Sequence, residues 1–347
     1  MRIGSPKHDY AADEALLRTP VQWVWCGILF VALALFPFMA TQYWVFLVCL
    51  ISINIISATG LNILTGYTGQ VSLGQAAFMG VGAYTVAWLD THTGLPFFIN
   101  LLAGAGTATV IGMIAGLPSL RVKGLYLAIA TIAASFILQF VFINWESVTR
   151  GMRGMNIDPP SVLGTSLANP EQFYWLVVPV TVVMVVAAAN LFRTRIGRAF
   201  IAIRDRDISA SVLGIHLPTY KLMSFGIASF YAGLAGGLWA YFFGSINPES
   251  FPLVMSIFFL AAIIVGGMGT ILGGILGAVF MTLTPEVLRY AVDIASPFID
   301  DPGAILSPLR TMVFGLLIVG FLLFEPHGLA EIWRRVRRFF HLWPFRN

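Results

Sequence analysis

The sequence contains the stretch GYTGQVSLGQAAFMGVGAY (Gly66–Tyr84), which is rich in glycine, has two glutamines and carries no charged residue. The rest of the chain is dense in leucine, isoleucine, valine and phenylalanine. Of the 347 residues, 58% are hydrophobic and 10% are charged, whereas a soluble domain has roughly 25% charged residues. So few charges cannot cover a water-soluble surface, and the uncharged polar stretch must therefore be accommodated inside a membrane.

Long apolar segments run along the whole chain, and a helix needs about 20 such residues to cross a hydrocarbon core. They predict an all-α fold: a polytopic transmembrane helical bundle of about ten spans. The predicted spans cover residues 21–40, 43–65, 71–89, 96–118, 124–144, 172–192, 218–242, 253–266, 270–287 and 306–324. We interpret the first as a retained span, because it is long for a signal-peptide core and follows acidic as well as basic residues.

The positions of the arginines predict the orientation of the bundle. Five arginines lie between Arg193 and Arg206 and four between Arg334 and Arg338, and cytoplasmic segments carry such an excess. With ten crossings, both termini are cytoplasmic. Arg150 and Arg153 are exceptions to the arginine rule, because they lie on the outer side of the membrane. The predicted divisions are a cytoplasmic N-terminal segment (1–20), a transmembrane domain (21–325) with a cytoplasmic loop (193–217), and a basic cytoplasmic tail (326–347).

The glycine spacing of this stretch recurs later in the chain. The spacing of Gly66, Gly69 and Gly74 recurs exactly 200 positions on, in a glycine set at 266, 269 and 274. In a chain with 34 glycines this arises by chance as readily as from an internal repeat. A repeat would give two kinked elements near a transport pathway, so the predicted helices there are broken or re-entrant.

The charged residues restrict the mechanism. The central parts of the predicted spans contain no Asp, Glu, Lys or Arg, although ion-coupled carriers usually keep an ionisable group there. Coupling to sodium through neutral backbone and hydroxyl ligands remains an alternative. The three lysines, Lys7, Lys123 and Lys221, lie in no phosphate-binding loop, so a partner must hydrolyse any ATP that drives transport. The scattered histidines indicate no metal site or enzyme, and basic residues confined to short loops do not favour nucleic-acid binding.

The longest amphipathic segment between spans is RTRIGRAFIAIRDRDISASVLGIHLP (Arg193–Pro218). Ile196, Phe200, Ile203 and Ile208 recur at near-helical spacing. Such a helix can rest on anionic lipid headgroups or dock onto a cytoplasmic partner. Periodicity alone favours the lipid.

Several blocks in combination resemble the permease subunits of branched-chain amino acid ABC importers. They are GLNILTGYTGQVSLGQAAFMGVGAYT, LRVKGLYLAIAT, RTRIGRAFIAIRDRDISASVLGI, YKLMSFGIASFYAGLAGGL and IIVGGMGTILGGILGA. The chain is more similar to the LivM type than to the LivH type, because of its LRVKGLY element and its T-x-G-x-x-G segment at Thr149, Gly151 and Gly154. The similarity extends from about Ile56 to the C-terminus.

The resemblance implies a bacterial inner-membrane importer with several partners. These are a second, LivH-like permease, two ATP-binding subunits, and a periplasmic or lipid-anchored solute-binding protein. ATP is used by the partner subunits, and no cofactor is expected on this chain. The resemblance also implies that segment 193–215 transmits the movement of the ATP-binding subunits, with coupling candidates Arg195, Gly197, Arg198, Ala199, Arg204, Asp205, Gly214 and Ile215.

One segment departs from the family pattern. Where relatives tend to read T-G-G-x-x-G-L, this chain reads TRGMRGM, with Arg150 and Arg153 added. Exposed cations there either meet an acidic binding protein or substrate or are simply solvated. The candidates for facing the binding protein are Thr149, Arg150, Gly151, Arg153 and Gly154. Because of this departure, the solute is either a branched-chain amino acid or urea or a short amide. A passive channel is an alternative from a different functional class.

The opening stretch is the predicted pathway element. Glycines permit a local break, and the neighbouring hydroxyl and amide side chains can satisfy the freed backbone groups. A broken element of this kind either lines a central cavity or forms a tightly packed joint without one. The pathway candidates are Thr65, Gly66, Thr68, Gly69, Gln70, Ser72, Gly74, Gln75, Gly266, Gly269 and Gly274.

Overall fold

The computed structural model describes residues 20–162, 165–167, 169–295, 309, 312–313, 315–317, 319–321, 323–325 and 328–342. Nearly all of these residues are helical. The main helices are α1 (Pro20–Met39), α2 (Gln42–Leu61), α3 (Gln75–Thr93), α4 (Phe97–Ala115), α5 (Leu125–Asn144), α6 (Pro170–Leu191), α7 (Arg195–Val212), α8 (Leu217–Phe243), α9 (Leu253–Gly266), α10 (Ile271–Ala295) and α11 (Gly328–Leu342).

Short elements complete the chain. A π-helix (Asn62–Tyr67) continues α2, a helical turn (Glu146–Thr149) follows α5, and 3-10 turns lie at Leu117–Leu120, Gly151–Arg153 and Pro248–Ser250. The strands are β1 (Met155–Asn156), β2 (Ser161–Val162), β3 (Thr165–Ser166) and β4 (Ser245–Ile246). β1 pairs with β4 and β2 with β3, each antiparallel.

Within the described residues, 7 helices are long and apolar enough to cross a membrane. They coincide with seven of the ten predicted spans, which confirms an all-α polytopic membrane protein. The first predicted span corresponds to α1, of which Phe30–Met39 is apolar. The third corresponds to α3, whose glycines, alanines and polar residues lower its hydropathy. The tenth lies mostly outside the described residues, so the count of ten stays a prediction.

Helix α8 forms the centre of the bundle and packs against α2, α3 and α4. The most apolar 18-residue stretch of α8 is 72% buried, whereas that of α5 is 28% buried. Helix α5 therefore lies at the periphery of the bundle. Small residues allow the close packing: a Cβ at Gly82 of α3 would overlap the backbone of Gly233 of α8. Glycine pairs of this kind bring membrane helices together where lipid gives no hydrophobic driving force.

The connections alternate between the two ends of the bundle. At the end that carries α7, Lys123 after α4 pairs with Asp207 of α7, and Arg204 of α7 contacts the segment after α2. At the opposite end, β4 after α8 pairs with β1 after α5. The core therefore lies between two chemically different surfaces, and the basic one contains α7.

Candidate functional site

The glycine-rich stretch forms a break between two buried helices. Helix α2 changes to a π-helix at Asn62–Tyr67, the chain leaves helical structure at Thr68, and α3 begins at Gln75. The polar side chains that the sequence singles out here are buried. They are Thr65, Thr68, Gln70, Ser72 and Gln75. A π-helical turn is uncommon and often marks a functional position, and here it directs the chain out of the helix.

Two glutamine side chains tie the break to neighbouring helices. Gln70 Nε2 donates to Ser224 Oγ of α8 at 2.7 Å. Gln75 Nε2 donates to the Ser57 carbonyl of α2 at 2.8 Å. Buried amides are costly unless they are hydrogen-bonded. These contacts satisfy the side-chain N–H groups, whereas Gln70 Oε1 has no hydrogen-bond partner among the described residues.

Hydroxyl groups of other helices satisfy the backbone N–H groups that the break frees. Leu73 N donates to Thr131 Oγ1 of α5 at 2.9 Å. Ala76 N, in the first turn of α3, donates to Ser256 Oγ of α9 at 2.9 Å. A helix N-terminus has N–H groups without intrahelical acceptors, and Ser256 supplies one from a residue 180 positions away. The break is thus a packed joint between several helices.

The two glycine sets that echo one another in sequence meet at this joint. Asn62 donates from Nδ2 to the Thr270 carbonyl at 2.7 Å and accepts from Gly269 N at 2.9 Å. A Cβ at Gly66 would overlap the backbone of Gly269. Asn62 is not among the residues predicted from sequence, although an amide inside an otherwise apolar run was an available signal.

Helix α7 lies directly against this joint. Thr194 caps its N-terminus by accepting from Gly197 N at 3.4 Å, and Phe200 and Ile203 are buried in the bundle. Arg206 has extended dihedral angles (φ −158°, ψ 101°) that kink the helix. The apolar face of the first part of α7 therefore faces the protein, which departs from the lipid contact that periodicity favours.

Arg204 connects α7 to the joint. Its Nη1 donates to the Gly66 carbonyl at 3.1 Å, and a Cβ at Gly269 would lie 2.7 Å from the same nitrogen. Its Nε lies 3.2 Å from Asp205 Oδ1. One guanidinium group thus lies against both glycine-containing segments, one at the end of α2 and the other just before α10.

A cavity of about 230 Å³ opens beside Arg204 and is lined by Gln70, Lys123 and Lys221 among other residues. Asp207 pairs with Lys123 and lies 4.0 Å from the Lys221 ammonium. The hydrogen bond from Lys123 lowers the pKa of the Asp207 carboxyl below its ordinary value. The carboxylate is therefore ionised at neutral pH, and the cavity is polar and charged.

The other coupling candidates differ in environment. Ala199 is buried, while Arg195 and Asp205 are exposed. Arg198 is exposed and donates from Nη1 to the Arg193 carbonyl at 2.9 Å. Gly214 and Ile215 follow the end of α7. The second half of α7 and its end expose apolar side chains, with Ile208 at 75%, Val212 at 82% and Leu213 at 80%.

The candidates at 149–154 lie at the opposite end of the bundle. Thr149 is buried, and its Oγ1 donates to the Trp145 carbonyl at 2.8 Å and accepts from Gly151 N at 3.2 Å. Gly154 precedes β1, which pairs with β4. Arg150 and Arg153 are exposed and form no ion pair with another described residue. The structure therefore separates the 149–154 group from the Arg204 joint.

Residues 43–322 match the family described as "Branched-chain amino acid transport system / permease component". The chain is 30% identical over 96% of its length, and 80% of the relative's, to the high-affinity branched-chain amino acid transport system permease protein LivM of Escherichia coli. It is 26% identical over 65% of its length, and 78% of the relative's, to the corresponding LivH of the same organism. A probable LivH of Methanocaldococcus jannaschii is 23% identical over 82% of the chain and 90% of its own length. No solved structure matches.

Proposed function

We propose a function for this chain from one premise: the chain belongs to the family of branched-chain amino acid transport permeases, and within it resembles the LivM type. It is a multi-pass membrane protein of the bacterial inner membrane. As a permease component of an ABC importer, it forms one half of the transmembrane pathway for branched-chain amino acids. The observation that carries this proposal is the family match over 43–322, which contains nearly all of the seven span-forming helices.

The other half of the pathway is a second, LivH-like permease. Escherichia coli has both a LivM and a LivH permease, and this chain is similar to both. The apolar surfaces of helices such as α5 and α10 are available to lipid and to this partner, since a third or less of the most apolar 18-residue stretch of each helix is buried.

ATP hydrolysis by two partner subunits drives transport through α7. In support, Arg204 bonds the Gly66 carbonyl of the helix break, while Ile208, Val212 and Leu213 form an exposed apolar surface on the same segment. A partner that binds this exposed surface and displaces it would also displace the helix break through the contact of Arg204 with Gly66. The chain itself needs no nucleotide site or cofactor for this mechanism.

A periplasmic or lipid-anchored solute-binding protein delivers the solute at the opposite end. Arg150 and Arg153 are exposed there without an ion pair to a described residue, so they are free to meet acidic groups of that protein. Urea or short amides are the alternative solutes for this type of permease. A passive facilitator is the alternative mechanism.

Uptake of radiolabelled L-leucine and L-isoleucine distinguishes these possibilities. The chain is expressed with its partner permease, ATP-binding subunits and binding protein in cells without other branched-chain amino acid importers. We expect uptake that disappears when the ATP-binding subunits are deleted. Uptake that persists after that deletion would favour the facilitator, and uptake of labelled urea but not leucine would favour the amide importer.

A further inference from the structure

The C-terminal helix α11 carries an apolar stripe that is exposed along most of its length. Leu329, Ile332, Trp333 and Val336 follow the i, i+3, i+4, i+7 spacing that puts side chains on one face of an α-helix. Leu329 is half-buried and packs on α9 and α10. The other three are exposed, at 39%, 56% and 43% in chain order. An exposed apolar patch of this kind is typical of a contact surface.

Arginines border this stripe. Segment 328–342 contains four arginines and one glutamate, which give it a formal charge of +3. At 3.6 residues per turn, Arg335 and Arg337 lie on either side of the stripe. Arg335 pairs with Glu325 at 2.7 Å, while Arg337 is exposed and forms no ion pair with another described residue. An apolar stripe bordered by basic residues is typical of a helix that lies in the interface of an anionic membrane.

The chain changes direction just before α11. Leu323 and Phe324 belong to the preceding apolar segment and are exposed, at 73% and 86%. Glu325 is not helical, its carbonyl accepts from Gly328 N at 2.8 Å, and Gly328 has a φ of 70°. Helix α11 therefore does not continue the preceding segment. Because a charged residue directly follows the exposed apolar side chains, α11 starts near the boundary between acyl chains and headgroups.

Contacts with the bundle hold α11 at this boundary. A Cβ at Gly328 would overlap the backbone of Gly267, in the turn between α9 and α10. Ala330, in the first turn of α11, is 2% exposed. The ion pair between Arg335 and Glu325 links the third turn of α11 to the end of the preceding segment. The apolar stripe is therefore kept next to the level at which the lipid-facing surface ends.

We propose that α11 lies on the cytoplasmic surface of the bilayer and binds anionic phospholipids. Ile332, Trp333 and Val336 enter the boundary between headgroups and acyl chains, and Arg337 meets lipid phosphates. Lipid is favoured over a protein partner for two reasons. The stripe follows the lipid-facing Phe324, and the positive charge of α11 complements an anionic leaflet.

The proposed lipid contact adjoins the Arg204 joint. Gly267, against which α11 starts, lies two residues before Gly269. A Cβ at Gly269 would lie 2.7 Å from Arg204 Nη1. The turn between α9 and α10 therefore lies between the coupling helix α7 and the helix that is proposed to rest on the membrane.

The first test measures the depth of α11 in the bilayer. The complete importer has Cys26 and Cys49 replaced by alanine and cysteine-free partner subunits, and it carries Val336→Cys labelled with the fluorophore nitrobenzoxadiazole. In proteoliposomes that contain phosphatidylglycerol, we expect spin-labelled acyl chains to quench this fluorophore several-fold more strongly than the same label at Arg334→Cys. Arg334 is the matched control, because it lies on the far side of α11 from the stripe and is 57% exposed. Equally weak quenching at the two positions would overturn the proposal.

The same measurement distinguishes lipid from a protein partner. It is repeated on the permease pair without its ATP-binding subunits, and we expect unchanged quenching at Val336→Cys. Quenching that appears only when those subunits are absent would assign the stripe to them and overturn the lipid contact. Ile332→Cys is a second position on the apolar stripe and replaces Val336→Cys if that variant does not assemble.

The second test measures the contribution of charge. Quenching at labelled Val336→Cys should increase with the fraction of phosphatidylglycerol and fall with added salt, because salt screens charges at a surface. Arg337→Gln combined with Arg338→Gln should remove most of this dependence. Arg150→Gln combined with Arg153→Gln, at the opposite end of the bundle, is the matched control and should retain it. Quenching that is independent of phosphatidylglycerol and salt would overturn the recognition of anionic lipid.

Discussion

Arg204 is the residue at which α7, the proposed coupling segment, meets the helix break. Its guanidinium group bonds the Gly66 carbonyl and lies close to Gly269, and its side chain is 39% exposed. A charged donor on a backbone carbonyl gives a strong hydrogen bond. Because the acceptor is a backbone atom, this bond joins α7 to the main chain at the end of a membrane helix.

We predict that Arg204→Gln uncouples ATP hydrolysis from transport. Loss of a charge-assisted hydrogen bond of about 1.5–3 kcal/mol weakens the link from α7 to Gly66, so leucine uptake should fall about tenfold or more while ATP hydrolysis continues. The measurement is the ratio of leucine transported to ATP hydrolysed in proteoliposomes. Arg121→Gln, an exposed arginine at the same end of the bundle, is the control and should keep the wild-type ratio. An unchanged ratio in Arg204→Gln would exclude this route of coupling.

The residues of the joint were only partly predictable from sequence. Arg204, Gly66 and Gly269 follow from motif blocks, because glycine and arginine stand out in apolar surroundings. Asn62 was missed, since it is a single amide within a long apolar run. Asn62 finds its partners 207 and 208 positions away, and no local periodicity indicates a contact over that distance.

At the scale of elements, three helices cross where each contributes a glycine. A Cβ at Gly82 of α3 would overlap the backbone of Gly233 of α8, and a Cβ at Gly104 of α4 would lie 2.8 Å from the Gly82 carbonyl oxygen. The helices touch through their backbones at this point. Their relative positions therefore depend on the absence of side chains at these glycines.

We predict that Gly82→Ala destabilises the protein, because a methyl group at this crossing forces α3 and α8 apart. Overpacking of this kind costs about 1–3 kcal/mol, which should lower the midpoint of thermal unfolding in detergent by several degrees. Gly106→Ala is the matched control, since nothing lies within 4 Å of its added Cβ and alanine is the better helix former. If the two variants have the same midpoint of thermal unfolding, α3 and α8 are not in backbone contact at Gly82.

Element-level reasoning from sequence succeeded for the strongly apolar spans and failed where polar residues carry the structure. Seven predicted spans coincide with apolar helices because apolar length alone determines them. The kink of α7 at Arg206 and the burial of Phe200 and Ile203 were not predictable. Amphipathic periodicity shows that a helix has an apolar face, but it does not show whether lipid or protein covers that face.

The whole molecule has two chemically distinct ends. The α7 end contains Arg204, Asp207 and the basic helix α11, and the opposite end contains the short strands and the exposed Arg150 and Arg153. A single axis therefore joins the end that is proposed to receive the solute to the proposed contact with the ATP-binding subunits. Import requires this polarity, because the solute and the energy arrive from opposite sides of the membrane.

The path of the chain places the start of the C-terminal helix α11 on the α7 side. Helix α10 starts beside Gly267 and has 25 residues, so its end at Ala295 lies about 37 Å farther along the helix. Gly328, at the start of α11, again lies next to Gly267, since a Cβ there would approach the Gly267 Cα to 2.7 Å. The starts of α10 and α11 therefore lie together at the α7 end of the bundle.

Reporter fusions measure this topology directly. Green fluorescent protein matures only in the cytoplasm and alkaline phosphatase is active only outside it, so each is fused after Asn347 and, in separate chains, inserted between Arg150 and Arg153. Since an arginine excess marks the cytoplasmic side, we expect fluorescence from the C-terminal fusion and phosphatase activity from the 150–153 insertion. The reverse pattern would place α7 outside the cell, where no ATP-binding subunit can reach Ile208 or Val212, and the coupling route through Arg204 would then be wrong.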